Sequence, residues 1–136
     1  ERASFCLSEV KIGLIPATIS PFVVRAMGER ACRRYFTTAE RFDAQRALQL
    51  GLVSEVVCEE ELDHAVDTLV DAVLGNGPVA VRAAKQLVED ISGSEISAQL
   101  VEETCQRIAT IRVSTEGQEG LAAFLNKRAP AWSNSN

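Results

Sequence analysis

Apolar residues along this chain recur mostly at helical spacing, and two stretches break that rhythm. The first is Phe5-Cys6-Leu7-Ser8-Glu9-Val10-Lys11-Ile12-Gly13-Leu14-Ile15-Pro16, which sets a single carboxylate among apolar and β-branched residues and then breaks at Gly13 and Pro16. This predicts a short core strand running out into a loop, with Phe5, Leu7, Ile12 and Ile15 as the burying side chains. The second, over residues 52–57, reads as another strand.

The remainder reads as helix. Ser20 and Pro21 suit a helix start, Gly28 divides the segment near Met27, and a further helix runs over 29–37. Asp43 is placed to cap a helix ending at Leu50, with Gly51 behind it. The acidic run Glu59-Glu60-Glu61 opens the next helix, where negative charge offsets the macrodipole, and Leu62, Val66, Leu69, Val70 and Val73 give it one apolar stripe. Helices are then predicted from Pro78 to Ile91, from Glu95 to about Val113, and after a Ser114 or Thr115 cap up to Leu125. The result is a mainly α chain with about two short strands. Two isolated strands do not make a stable sheet, so their partners are expected upstream or on another subunit.

At 136 residues, 46% hydrophobic and 24% charged, the chain has the makings of an ordinary globular core. A net charge of -5 argues against nucleic acid and anionic membrane as partners, and no apolar run reaches spanning length. Cys6, Cys32, Cys58 and Cys105 are spread widely, with no C-x-x-C and no metal-ligand spacing, which favours reduced thiols, a cytoplasmic setting and no bound metal. The opening Glu1-Arg2-Ala3-Ser4 leads almost directly into the first strand, as expected of the inside of a longer polypeptide.

The candidate chemistry rests on Glu9. It is either an edge-strand residue facing water or pairing with Lys11, or a partly desolvated acid or base at a loop that leaves a core strand. Arg30, Arg33 and Arg34 make either a phosphate-binding face or a solvated side; Cys32, flanked by Arg30 and Arg33, reads as packing, and His64 as a surface residue.

The order and spacing of several pieces go further. Phe5-x-x-x-Glu9-x-x-x-Gly13-x-Ile15-Pro16, Thr38-Ala39-Glu40-Arg41-Phe42-Asp43-Ala44, Ala47-x-x-x-Gly51-Leu52-Val53, Gly77-Pro78-Val79-Ala80 with Ala84-Lys85, and Glu119-Gly120-Leu121-x-x-Phe124-x-x-Lys127-Arg128-x-Pro130-x-Trp132 together resemble the enoyl-CoA hydratase/isomerase (crotonase) family. The variant over residues 7–21 looks most like bacterial methylglutaconyl-CoA and carboxygeranoyl-CoA hydratases.

The resemblance implies the C-terminal half of an α/β crotonase-like fold, with residues 1–57 ending the spiral core and 58–136 forming a helical oligomerisation region. It implies an acyl-CoA hydratase, with an enoyl-CoA isomerase or a non-catalytic helical assembly module as alternatives. Glu9 matches the second of the family's two catalytic glutamates; the first, and the oxyanion-hole amides, would lie upstream. Pro16 and Ala17 are expected to line the substrate pocket, and the bulkier Ala17-Thr18-Ile19-Ser20, where many hydratases have a glycine-rich turn, shifts expectation toward branched or carboxylated acyl groups. Phe124 and Lys127 match positions that reach a neighbouring subunit's coenzyme A in trimers and hexamers. The coenzyme A thioester is then substrate and no cofactor is required.

Overall fold

The computed structural model describes residues 1–134, and the chain divides into two compact units, Glu1–Ala65 and Val66–Asn136. The first unit is built on α1, Ser20–Thr38, with Pro21 in its first turn. Gly28 leaves the helical conformation at φ 77° and ψ 158°, a region open to glycine alone, so the helix breaks where the sequence places the break. Beyond α1, Ala39 turns left-handed at φ 48° and donates its N–H to the Tyr35 carbonyl. The chain then enters β2, Phe42–Asp43, which pairs antiparallel with β1, Ser4–Phe5, setting Phe5 opposite Phe42. Asp43 accepts the Arg46 N–H at 2.8 Å and so caps α2, Ala44–Gln49, as its spacing predicts.

Val23, Met27, Cys32, Tyr35, Phe42 and Ala47 form the core of this unit. Phe42 is its centre: its ring lies 4.4 Å from that of Tyr35 and 5.5 Å from that of Phe5, within the range of favourable aromatic pairs.

Both predicted strands are corrected. Only Ser4–Phe5 is extended at the first position; Glu9–Ile12 forms a 3-10 turn, closed because Gly13 at φ 76° sends its own N–H and that of Leu14 back to Val10 and Glu9. Ile12 and Ile15, expected to bury the strand, are 75% and 72% exposed. Residues 52–57 form no strand, because Leu52 instead returns its N–H to Ala47 behind the end of α2. The two strands observed pair with each other. Ser20 does not cap α1; its hydroxyl donates to the Ala17 carbonyl at 2.9 Å.

Glu59–Glu61 forms a 3-10 turn ahead of α3, Leu62–Leu74, which continues into the second unit. There, α4 spans Pro78–Ile91, α5 Ala98–Val113 and α6 Thr115–Leu125. The start of α5 lies at Ala98 and not at Glu95, because the Ser97 hydroxyl accepts the Leu100 N–H. Ser114 caps α6 in the same way through the Gly117 N–H. Gly117 admits no side chain: a Cβ there would fall 2.2 Å from the Ile111 carbonyl oxygen, so the glycine is what lets α6 turn this closely on α5. The apolar stripe of α3 does not enter a core, with Leu62, Val66, Leu69, Val70 and Val73 all exposed. No helix among the described residues is long and apolar enough to cross a membrane.

Candidate functional site

Glu9 opens the 3-10 turn, and three backbone bonds fix it: Lys11 N–H to the Ser8 carbonyl at 3.0 Å, Gly13 to Val10 at 3.3 Å, and Leu14 to Glu9 at 3.0 Å. Upstream, the Cys6 thiol donates to the Ala39 carbonyl, which ties the approach to the turn onto the end of α1. The side chain of Glu9 is half-buried, and its Oε2 is shut off from solvent with no hydrogen-bond partner. A carboxylate oxygen in that state has lost water and gained nothing in exchange, so it is the group to expect where a substrate supplies the missing partner.

Val10, the next residue on the turn, lines an open cavity of about 340 Å³. Pro16 and Ala17 line it too, so the two predicted pocket residues and the Glu9 turn come together. Pro16 is buried and Ala17 exposed. Ser20, from the segment expected to reshape the pocket, lines it as well, and the sequence reading missed Ile15, Phe36 and Thr37, which complete the wall. Ile15 reads in the sequence as a burying strand residue. Nothing local marked Phe36 and Thr37, because only the bend at Gly28 carries them to this place.

Other candidates resolve into structure. Arg33 is paired with Glu29 and Arg34 with Glu40, and the Arg34 guanidinium also sits 5.5 Å from the Tyr35 ring centre, which favours a solvated side over a phosphate face. The hydrogen bond from Arg34 holds the Glu40 carboxyl below its ordinary range. Cys32 is buried, and burial pushes its thiol up, away from the thiolate a nucleophile needs. All four cysteines are free and His64 is exposed. Among the described residues, no group of three His, Cys, Asp or Glu side chains could hold a metal.

Phe124 and Lys127 belong to the second unit. Phe124 is 81% exposed on the last turn of α6, and Lys127 follows in a left-handed conformation at φ 50°, its N–H on the Phe124 carbonyl. Both stand open to solvent.

A sequence model of the family described as enoyl-CoA hydratase/isomerase matches residues 1–135. Among solved structures, an enoyl-CoA hydratase from Shewanella pealeana is 54% identical with a TM-score of 0.91, over 97% of this chain and 49% of its own. A protein described as an enoyl CoA hydratase/isomerase (crotonase) from Legionella pneumophila is 50% identical with a TM-score of 0.91, over 96% of this chain and 50% of its own. The rat protein named enoyl-CoA hydratase domain-containing protein 3, mitochondrial, is 32% identical over 98% of this chain and 44% of its own length. The chain therefore spans about half the length of the relatives it matches. The matched share, 49% and 50% of the two related structures, fixes the amount matched and leaves the C-terminal placement an expectation of the sequence alone.

Proposed function

The chain belongs to the enoyl-CoA hydratase/isomerase family, and from that premise we propose that Glu9 is the proton-exchanging acid of an acyl-CoA hydratase acting on a 2-enoyl thioester. The observation that supports this is Glu9 Oε2, buried without a partner on a turn that borders an apolar cavity.

In such a hydration the water oxygen bonds to C3 while a carboxylate takes the water's proton, and C2 receives a proton from a second carboxyl group. Backbone amides take up the charge that develops on the thioester oxygen, usually the larger contribution. Glu9 fits the C2 role. In this proposal the other carboxylate and the amides come from residues outside these 136, so the chain by itself does not turn substrate over. The acyl group is branched or carboxylated, a reading supported by Ala17 and Ser20 of the segment after Pro16 standing in the cavity wall. Phe124 and Lys127 reach the coenzyme A of a neighbouring copy in a trimer or hexamer, a role their exposure leaves open. The four free thiols support a cytoplasmic setting.

An isomerase that shifts the double bond is the second reading, favoured by the single unpartnered carboxylate, since one such group suffices for it. A purely structural module would leave Glu9 facing open solvent, and its Oε2 does not.

The test uses a family-length protein carrying this chain. Glu9→Gln is expected to lower kcat for hydration of the better of 3-methylcrotonyl-CoA and 3-methylglutaconyl-CoA by about 10²- to 10⁴-fold with the thermal midpoint unchanged. Hydration retained within twofold overturns the role of Glu9. Measurable turnover by the 136-residue chain alone overturns the divided site.

A further inference from the structure

We propose that Phe36 is the specificity-determining wall of this cavity, limiting the acyl group to a short, uncharged, branched hydrocarbon end, and that the bend at Gly28 is the device that puts it there. The inference rests on reading the cavity beside the Glu9 turn as the acyl site.

Ser20 and Phe36 both line that cavity, although they open and nearly close the same helix. On a straight helix, sixteen residues at 1.5 Å each would hold them about 24 Å apart along the axis. Gly28 removes that separation by leaving the helical region altogether. The bend is clasped from within: the buried Cys32 thiol donates to the Val23 carbonyl at 3.5 Å, where nine residues of straight helix would span about 14 Å. Phe36 packs against the core of this unit and also lines the cavity, so the core supports the wall.

The chemistry of the wall selects the ligand. Both hydroxyl protons are committed to backbone, Ser20 to the Ala17 carbonyl and Thr37 to the Arg33 and Arg34 carbonyls. Among the described residues, no cation lines the cavity. Against this part of the wall a carboxylate tail meets no opposite charge, whereas methyl and methylene groups meet apolar side chains. Of the branched and carboxylated groups considered above, the cavity therefore fits the branched hydrocarbon.

Using the family-length protein, kcat/KM is measured for straight-chain 2-enoyl-CoA thioesters of four to ten carbons, for 3-methylcrotonyl-CoA and for 3-methylglutaconyl-CoA. Phe36→Ala is expected to raise the eight-carbon to four-carbon ratio by about tenfold or more, Phe36→Leu by less, and 3-methylcrotonyl-CoA should outperform its carboxylated counterpart in the parent. A ratio that moves less than twofold in both variants while the parent hydrates overturns the role of Phe36 alone. A preference for the carboxylated substrate overturns the assignment of ligand class. A parent protein that hydrates none of the series removes the hydratase reading and this inference with it.

Discussion

The Arg128 guanidinium grips the Glu119 carboxylate with both arms, Nη1 to Oε1 at 2.6 Å and Nη2 to Oε2 at 2.8 Å. Oε1 also accepts the Ala131 N–H at 2.9 Å, so one side chain on α6 fastens the segment that follows the helix. That segment delivers Trp132, whose Nε1–H donates to the Gly75 carbonyl and whose ring covers Gly120 closely enough that a Cβ there would sit 3.0 Å away. The bidentate geometry is the strong form of an ion pair.

The hydrogen bonds from Arg128, and then that from Ala131, pull the Glu119 carboxyl from 4.5 down to about 2. A carboxyl depressed on folding contributes stability that is fully present above its unfolded value and is lost as pH falls through the folded one. The tie should therefore weaken between about pH 5 and pH 2. Trp132 is the sole tryptophan, so its fluorescence reports this corner directly. We expect its thermal midpoint to fall across that window in the parent chain. In Glu119→Gln the midpoint should be lower at pH 7 and flatter below it. Equal pH slopes in parent and variant would show that Glu119 is not the group responsible.

A second carboxylate of α6 fastens the start of α4. Glu116 accepts the Val79 N–H at 2.9 Å and the Ala80 N–H at 2.8 Å, capping α4 from the first turn of α6, while Gly77, at the α4 cap itself, has no side chain to offer. A Cβ on Gly77 would lie 2.5 Å from Glu116 Oε1. Glu116→Ala should thus cost about 1 kcal/mol in urea unfolding, and Gly77→Ala a similar amount by evicting the cap. Because both remove one interaction, the double variant should fall well short of their sum. Full additivity would mean that Gly77 acts through something other than the cap.

The parts of this fold that were legible in the sequence are those a single residue decides. Asp43 and Ser114 act as caps, Gly28 breaks α1, and Pro78 opens α4, because each effect is local. Glu9 stands out in the sequence as an isolated carboxylate and in the fold by its buried, partnerless oxygen, yet on a turn and not on the strand expected. Alternating apolar residues look like a strand whether they are covered or not, and Ile12 and Ile15 are exposed while Gly13 in its left-handed conformation winds the segment into a turn. Phe36 was invisible for a different reason: its place in the cavity wall depends on a bend eight residues away and on Pro16 and Ala17 twenty residues back.

The turn that presents Glu9 offers the sharpest separation of conformation from space. Gly13 sits at φ 76°, and an added Cβ would meet nothing within 4 Å, so any penalty for a side chain there is conformational and not steric. Gly13→Ala is expected to destabilise the chain by about 1 kcal/mol, because alanine resists the left-handed region. Gly13→Asn, a larger residue that visits that region readily, should cost less than Gly13→Ala despite its size. The order of the two urea midpoints decides the matter. Asparagine costing more than alanine would mean that the turn is crowded, and that the backbone bonds from Gly13 and Leu14 are not what holds Glu9 in place.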